Sequence, residues 1–398
     1  MVVVPSRMGR MNQRALVGRL QAMGAASRAA LAKSLGLSQP TAGKIVDQLL
    51  QEGIVEEIDT PPKPGAARAG RPPQLLRLDR RRRRFLAIQL GVTDTRLAAL
   101  PIGIDGDDHW EVQFPTPASA RTWRASLAQA ARRIPLPKPW GVLVSIPGVV
   151  DEQSGRVVFS PNLHWTEGVK LRSIIGSVWD APVVLVQEER ALALGHQVVQ
   201  PNAPGFLLVD FGEGVGSALV VQGALQTSPL PISGELGHTP VYGNRRRCGC
   251  GAQGCLETLV SRHGLRQSLA EHSRTKNPEW STLAQRIRQR GVEPWLARTL
   301  DQTAIVIAGA LNMVGLQQVI ITGALLELAP EVFRHLARAI ARGAMWGRFG
   351  KIDVQPAPRR RLAGLVAIGL DRLVLAAPGQ KPAGHLSDSA PDSPSLPA

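Results

Sequence analysis

Apolar side chains return at helical spacing from about Asn12 to Met23, with Leu16, Leu20 and Met23 on one face. The next stretch, ASRAALAKSLGLSQPTAGKIVDQLLQEG, predicts two further helices that carry their own punctuation. Ser27 is placed to cap the first of them, which turns Leu31, Ala32 and Leu35 inward. Gly36 stands where a tight turn needs a residue tolerant of positive φ. Ser38 is placed to cap the second helix, and Pro40 sits in its first turn, where a missing N–H is harmless. Ala42, Ile45, Val46, Leu49 and Leu50 face inward there, and Gly53 ends the helix. Small Ala32, turn Gly36 and apolar Ile45 have the spacing of a helix-turn-helix. Its exposed leading face offers Ser38, Gln39, Thr41 and Lys44, short polar groups and a cation suited to base edges and phosphates.

Two short alternating runs follow, GIVEEI at 53–58 and QLLRL at 74–78. Between them DTPPKPGAARAGRPP has no apolar period and carries Lys63, Arg68 and Arg71. A basic hairpin after a helix-turn-helix reads as a wing able to lie along a minor groove, and a flexible linker is the alternative. Arg80 to Arg84 form a run that reads as a solvated loop at the join with the next domain. Beyond Phe85 the texture changes. FLAIQLG, LAALPIG, GVLVSIPGVV, PVVLVQ, FLLVDFG and GSALVVQG read as strands joined by amphipathic stretches, and VIITGALLEL as a late strand entering a helix. Such alternation over nearly 300 residues predicts an α/β fold with two lobes. The boundaries expected are a disordered start (1–10), a winged helix-turn-helix (11–79), an arginine-rich junction (80–84), the α/β body (85–377) and a Pro/Ser-rich disordered tail (378–398).

A chain of 398 residues with 44% hydrophobic content has ample material for more than one core, although aromatics are only 4%. No run approaches the length of a membrane span, and the opening MVVVP is too short for a signal segment, so a cytoplasmic protein is expected. The net charge of +16 is unevenly placed. Residues 1–84 hold sixteen Lys and Arg against six Asp and Glu, a surplus of ten. Positive charge concentrated on the segment that carries the helix-turn-helix points to double-stranded DNA as partner.

All three cysteines lie within eight positions, in GELGHTPVYGNRRRCGCGAQGCLETLV. His238, Cys248, Cys250 and Cys255 supply one nitrogen and three sulfurs, the ligands that tetrahedral zinc favours, and four of them leave no open position for a substrate water. A structural Zn2+ site is expected, its thiolate charge offset in part by Arg245, Arg246 and Arg247. Closing that site would pin GELGH against GCLE and bring Glu235 and Glu257 to one pocket.

GELGH followed by CGCGAQGCLE resembles the signature of the ROK family, which contains bacterial repressors and sugar kinases, and the resemblance spans roughly residues 10–375. The helix-turn-helix matches the repressor branch, with its xylose and N-acetylglucosamine repressors. The resemblance implies an actin-like, hexokinase-like two-lobed fold behind a winged helix-turn-helix, and oligomeric assembly as a homodimer or homotetramer. It also implies a sugar site. The family's Asn-Asp pair at a strand end aligns with Gln187 and Glu188, and Glu235, Glu257 and His238 complete the set, with Asn162 in a loop near the sugar.

The phosphate side departs from the family's kinases. Where they carry Asp-x-Gly-Gly-Thr this chain has QLGVTD, with Gln89 for the Asp and Val92 for the second Gly. DFGEGVGS keeps Gly212, Gly214 and Gly216 but inserts Glu213, and Gly323 is followed by Ala324. Glu188 keeps a carboxylate one methylene further out than Asp, away from the reach a general base needs. The expected function is a sugar-responsive DNA-binding regulator, a repressor that senses sugar without phosphorylating it and binds a palindromic operator. The rivals are a sugar kinase that retains a DNA-binding domain and a repressor with a vestigial sugar pocket.

Overall fold

The structure, a computed structural model, describes residues 7–58, 74–104, 108–136, 138–152, 154–226 and 232–376. Lys63, Arg68, Arg71 and the tail 378–398 lie outside the described residues. Among the described residues no helix is long and apolar enough to cross a membrane.

The N-terminal unit is α1 (Arg7–Met23), β1 (Ala26–Ser27), α2 (Arg28–Leu35), α3 (Gln39–Gln51), β2 (Val55–Ile58) and β3 (Leu75–Leu78). Helix α1 starts at Arg7, so residues 7–10 are helical where disorder was expected. Its inward face is Leu16, Val17 and Leu20, and Met23 is 41% exposed instead of buried, because the helix ends there and Gly24 turns the chain away. The two caps form as expected. Ser27 accepts from the Ala30 N–H, Ser38 accepts from the Thr41 N–H, and Gly36 has φ 63°. The strands form a small antiparallel sheet, β1-β3-β2. The two-residue β1 was not expected, being too short for an alternating pattern to show.

The body repeats one topology. The first lobe holds β4 (Phe85–Leu90), β5 (Asp94–Leu100), β6 (Val112–Pro115), α4 (Ala120–Ala131), β7 (Gly141–Ile146), β8 (Val149–Asp151), β9 (Arg156–Phe159), α5 (Leu171–Gly176) and β10 (Val183–Gln187). Helix α6 (Glu188–Val199) leads to the second lobe. There follow β11 (Gly205–Phe211), β12 (Val215–Val221), β13 (Ala224–Leu225), α7 (Glu257–Val260), α8 (Arg262–Ser273), α9 (Trp280–Arg290), α10 (Pro294–Val314), β14 (Gln318–Gly323), α11 (Pro330–Gly343) and β15 (Asp353–Pro356). The chain returns in α12 (Arg361–Gly369). The first sheet has order β10-β7-β4-β5-β6 and the second β15-β14-β11-β12-β13, the same arrangement in each lobe. In both, an antiparallel meander of three strands is extended by two parallel ones. The late strand β14 runs into a 3-10 turn, Ala324–Glu327, not directly into a helix.

The fully buried strands β4, β7, β10 and β11 explain why those runs read as continuously apolar. The N-terminal helices are not tethered loosely. Leu16, Leu20, Leu31, Val46 and Leu49 belong to one hydrophobic cluster with Phe85, Ala87, Leu143, Ala191, Leu362 and Leu365. Helices α6 and α12 pack backbone to backbone inside that cluster. A Cβ on Gly195 would overlap the Arg360 carbonyl oxygen, and one on Gly364 would overlap that of Ala191. We expect Gly195→Ala to destabilise the body by about 1–3 kcal/mol, because the obstacle is backbone that cannot step aside. Urea unfolding of the purified chain measures this, and unchanged stability would show that the helices can separate freely.

Candidate functional site

The site is a cleft of about 430 Å³ between the lobes, within the range of roughly 300–1,000 Å³ usual for small-molecule pockets. It lies where the parallel strands end. Gln89 comes from the end of β4, Gln187 from β10, Asp210 from β11, and Glu188 and Glu189 from the first turn of α6. In open α/β sheets this carboxyl-end crevice is where ligands bind. The six expected sugar-site residues, Asn162, Gln187, Glu188, Glu235, His238 and Glu257, all line it.

Local contacts explain the convergence. The Ser217 N–H donates to the Gly234 carbonyl at 2.8 Å, holding GELGH against β12. The Leu256 N–H donates to Thr239 at 3.0 Å and Pro240 pairs with Cys255, which brings GCLE alongside. Gln187 Nε2 then donates to Glu235 Oε1 at 3.1 Å, and the Val215 N–H donates to Glu257 Oε2 at 3.4 Å. Burial raises the Glu235 carboxyl above its ordinary range, against the opposing pull of His238.

His238, Cys248, Cys250 and Cys255 place four ligand atoms within 4.8 Å of one another, a set that could hold a metal ion. His238 Nδ1 lies 3.5 Å from Cys248 Sγ, whereas its Nε2 lies 3.6 Å from Glu235 Oε2 on the cleft side. One ring nitrogen thus faces the sulfurs and the other the cleft. Burial pushes the Cys248 thiol up, and that of Cys255 to about 11, so a divalent cation would have to displace those protons on binding. Cys248 also donates to Glu257 Oε1 at 3.0 Å, a direct link from the cluster to the cleft. The expected help from the flanking arginines is not what the structure shows for Arg246. It donates instead to the carbonyls of Thr258 and Gly264 and to Glu271, which ties α8 to the loop.

Glu188 is engaged by two partners. Its Oε1 pairs with Arg361 Nη2 and accepts from Gln89 Nε2 at 3.3 Å. Arg361 is 2% exposed, and its Nη1 lies 3.3 Å from Asp108 Oδ2. Asp108 also accepts from the Leu362 N–H at 2.8 Å, and burial, the dominant influence, raises its pKa. The glycine-rich side of the cleft is also filled by ion pairs. Arg359 donates to both oxygens of Asp210 at 2.7 and 2.8 Å, and lies against Gly212 and Gly323. Burial alone would raise Asp210, but Arg359 outweighs it and holds the carboxyl below its ordinary value. Arg262 bridges Glu327 at 2.7 Å and Glu213 at 3.5 Å.

Arg359, Arg361, Asp108 and Glu189 were not singled out from the sequence, since the arginines and Asp108 sit in PAPRRRLAG and DGDDHW, which carry no spacing signal. At the N-terminal unit Ser38, Gln39, Thr41 and Lys44 are all exposed, as expected. Ser38 Oγ is already engaged by the Thr41 N–H and hydroxyl, so Gln39 and Lys44 are the freer pair.

A model described as ROK family matches residues 85–370. A xylose repressor of Caldicellulosiruptor bescii is 27% identical over 258 residues, which is 60% of this chain and 61% of that protein, so the chain spans about three fifths of that relative's length. A xylose repressor of Bacillus subtilis strain 168 is 24% identical over 339 residues, 83% of this chain and 87% of that protein. In fold, the chain is similar to the crystal structure of a ROK family transcriptional regulator homologous to the E. coli MLC protein, with TM-score 0.71 and 19% identity over 93% of this chain and 98% of that one.

Arg361→Met is expected to destabilise the chain by about 3–5 kcal/mol at neutral pH, because Glu188 and Asp108 are left buried without their cation. Urea unfolding checks this, and a loss below about 1 kcal/mol would show that solvent reaches both carboxylates.

Proposed function

The chain belongs to the ROK family, and from that premise we propose that it is a sugar-responsive transcriptional repressor whose kinase-like cleft binds sugar without phosphorylating it. The observation that carries the reading is the state of the cleft. Its sugar side gathers Gln187, Glu188, Glu235, His238 and Glu257, while its phosphate side is taken up by Arg359–Asp210 and Glu213–Arg262–Glu327. A nucleotide polyanion would have to break those pairs and approach Glu213. The carboxylate at the base position is held by Arg361, which disfavours proton abstraction from a sugar hydroxyl.

The N-terminal unit supplies the output. Gln39 and Lys44, with Ser38 and Thr41, head the exposed start of α3, the part of a recognition helix that meets base edges. Lys63, Arg68 and Arg71 of the basic loop would add contacts to the backbone or minor groove. Two copies, as a homodimer or within a homotetramer, would read a palindromic operator. Because α1 to α3 share a core with α6 and α12, a sugar that favours one lobe arrangement would bias the placement of the paired α3 helices. The names of the xylose repressors support a pentose as the first effector to try. His238, Cys248, Cys250 and Cys255 would hold a structural Zn2+ that supplies rigidity and no chemical step.

Selection of genomic DNA fragments on the purified full chain at physiological salt tests the regulator. The expected yield is a two-fold symmetric site with half-sites about one helical turn or a multiple apart, released by D-xylose. Gln39→Ala and Lys44→Ala should each weaken retention of that site, the former by ~1–3 kcal/mol, with the body still folded. Unrelated fragments that wash off together at modest salt, with sugar-dependent ATP hydrolysis, would establish the kinase instead.

Cys250→Ser should lower the zinc content from one ion per chain to near none and reduce the thermal midpoint of the body. Elemental analysis reads the first and scanning calorimetry the second. A full equivalent of zinc on the variant would refute this ligand set.

A further inference from the structure

Among the five carboxyls packed at the back of the cleft, four have partners. Glu188 has Arg361, Glu235 has Gln187, Glu257 has Cys248 and the Val215 N–H, and Asp210 has Arg359. Glu189 differs. Its Oε2 is buried and has no hydrogen-bond partner, although the residue lines the cleft. Leaving a buried carboxyl oxygen unsatisfied costs about 1–3 kcal/mol, a cost that a purely structural position would shed by substitution. The surroundings make room for it. The side chain lies over the bare Cα of Gly216, where a Cβ would overlap Oε1. Gln89, at the end of β4 in the same sheet as β10, also has its Oε1 buried and unpartnered while its Nε2 is committed to Glu188. Both residues line the same cavity, and each keeps one buried polar atom without a partner beside it.

We propose that Glu189 is a specificity-determining residue of the cleft that hydrogen-bonds through Oε2 to a hydroxyl of an uncharged sugar. This rests on the sugar-sensing reading above. The charge of the lining defines the ligand class. Glu188, Glu235, Asp210 and Glu213 border the same space, and its arginines Arg262 and Arg359 are already paired with Glu327 and Asp210, so a phosphate or carboxylate on the ligand must break such a pair to find a cation. Burial first, and then the charges of Glu188, Glu235 and Asp210, push the Glu189 carboxyl well above its ordinary range. A neutral carboxyl offers an O–H donor as well as an acceptor, which matches a hydroxyl's own donor and acceptor. Glu189 sits one position beyond the Gln187–Glu188 pair, so it adds a contact to the set that Gln187, Glu188, Glu235, His238 and Glu257 already form.

Isothermal titration of the full-length chain with D-xylose, D-glucose, N-acetyl-D-mannosamine and D-glucose 6-phosphate tests the assignment. Wild type, Glu189→Gln and Glu189→Met are compared, with Glu189→Ala as a second truncation should Met fail to fold. The expected result is that at least one uncharged probe binds wild type. Glu189→Met should weaken it about tenfold or more, equivalent to about 1.4 kcal/mol, and Glu189→Gln, which keeps a donor and an acceptor, should stay within about threefold. The apo Glu189→Met chain should unfold at the same temperature as wild type or higher, which a lost structural contact would not produce. If a sugar binds wild type and the truncated variants equally, Glu189 has no reading role and the sugar site stands without it. Tighter binding of D-glucose 6-phosphate than of every uncharged probe overturns the ligand class. If none of the uncharged probes binds wild type, the sugar-sensing reading and this proposal fall together.

Discussion

The Arg361 guanidinium, buried between Glu188 and Asp108, is the interaction on which the rest of the architecture depends. A cation this deep is tolerated only when paired on more than one side, and the two carboxylates come from different parts of the first lobe. Glu188 opens α6 and Arg361 opens α12, so their pairing pins the starts of two helices at one point. Beside that ion pair the helices cross in opposite directions, Gly195 against the Arg360 carbonyl and Gly364 against that of Ala191, so closely that only glycine fits at either position. The same pair is the platform on which the N-terminal helices stand, with Arg14 of α1 reaching Asp371 just beyond α12. Ligand cleft and N-terminal unit are therefore built on one packed element. Distance alone does not make them coupled. A ligand moves the unit only by its different affinity for two lobe arrangements.

The duplicated lobes explain why the cleft is where it is. Each sheet ends its parallel strands toward the other, which creates a crevice lined by strand ends from both. Glycines 212, 214 and 323 keep the backbone bare there, the arrangement that lets N–H groups approach phosphate. In this chain the bare backbone faces Arg359 and the side chains of Glu257 and Asn162. An arginine already satisfied by a bidentate aspartate has little to offer an incoming anion without first losing that pair. The bare backbone remains, while the charged side chains beside it are paired with one another.

Local signals with a fixed stereochemical meaning were legible in the sequence. Ser27, Gly36 and Ser38 form the caps and turn that their types and spacing require, and the continuous apolar runs are strands buried on both faces. The histidine and three cysteines gather into a set that could hold a metal ion, as their types and spacing led one to expect. What stayed hidden depends on partners far apart in the chain. Arg359 and Arg361 stand in a run of three consecutive arginines in PAPRRRLAG, and nothing local distinguishes the one that is buried, Arg361. Arg246 looked like a counter-charge for thiolates because it stands two positions before Cys248, yet side-chain reach carries it to α8. Met23 was placed inward by periodicity, which holds only while a helix continues.

His238 joins the candidate metal-ligand set to the cleft. Its Nδ1 faces the sulfurs and its Nε2 faces Glu235. Metal coordination at Nδ1 would leave the proton on Nε2, so the ring would become a donor of fixed orientation toward the cleft. Glu257 is tied to the same cluster through Cys248 and to β12 through Val215, so its carboxylate is held from two sides. A hydroxyl entering between them would meet a donor and an acceptor that need no reorganisation. Rigid presentation of polar groups lowers the entropy lost on binding, which is the contribution a closed metal site can make to recognition without touching the ligand.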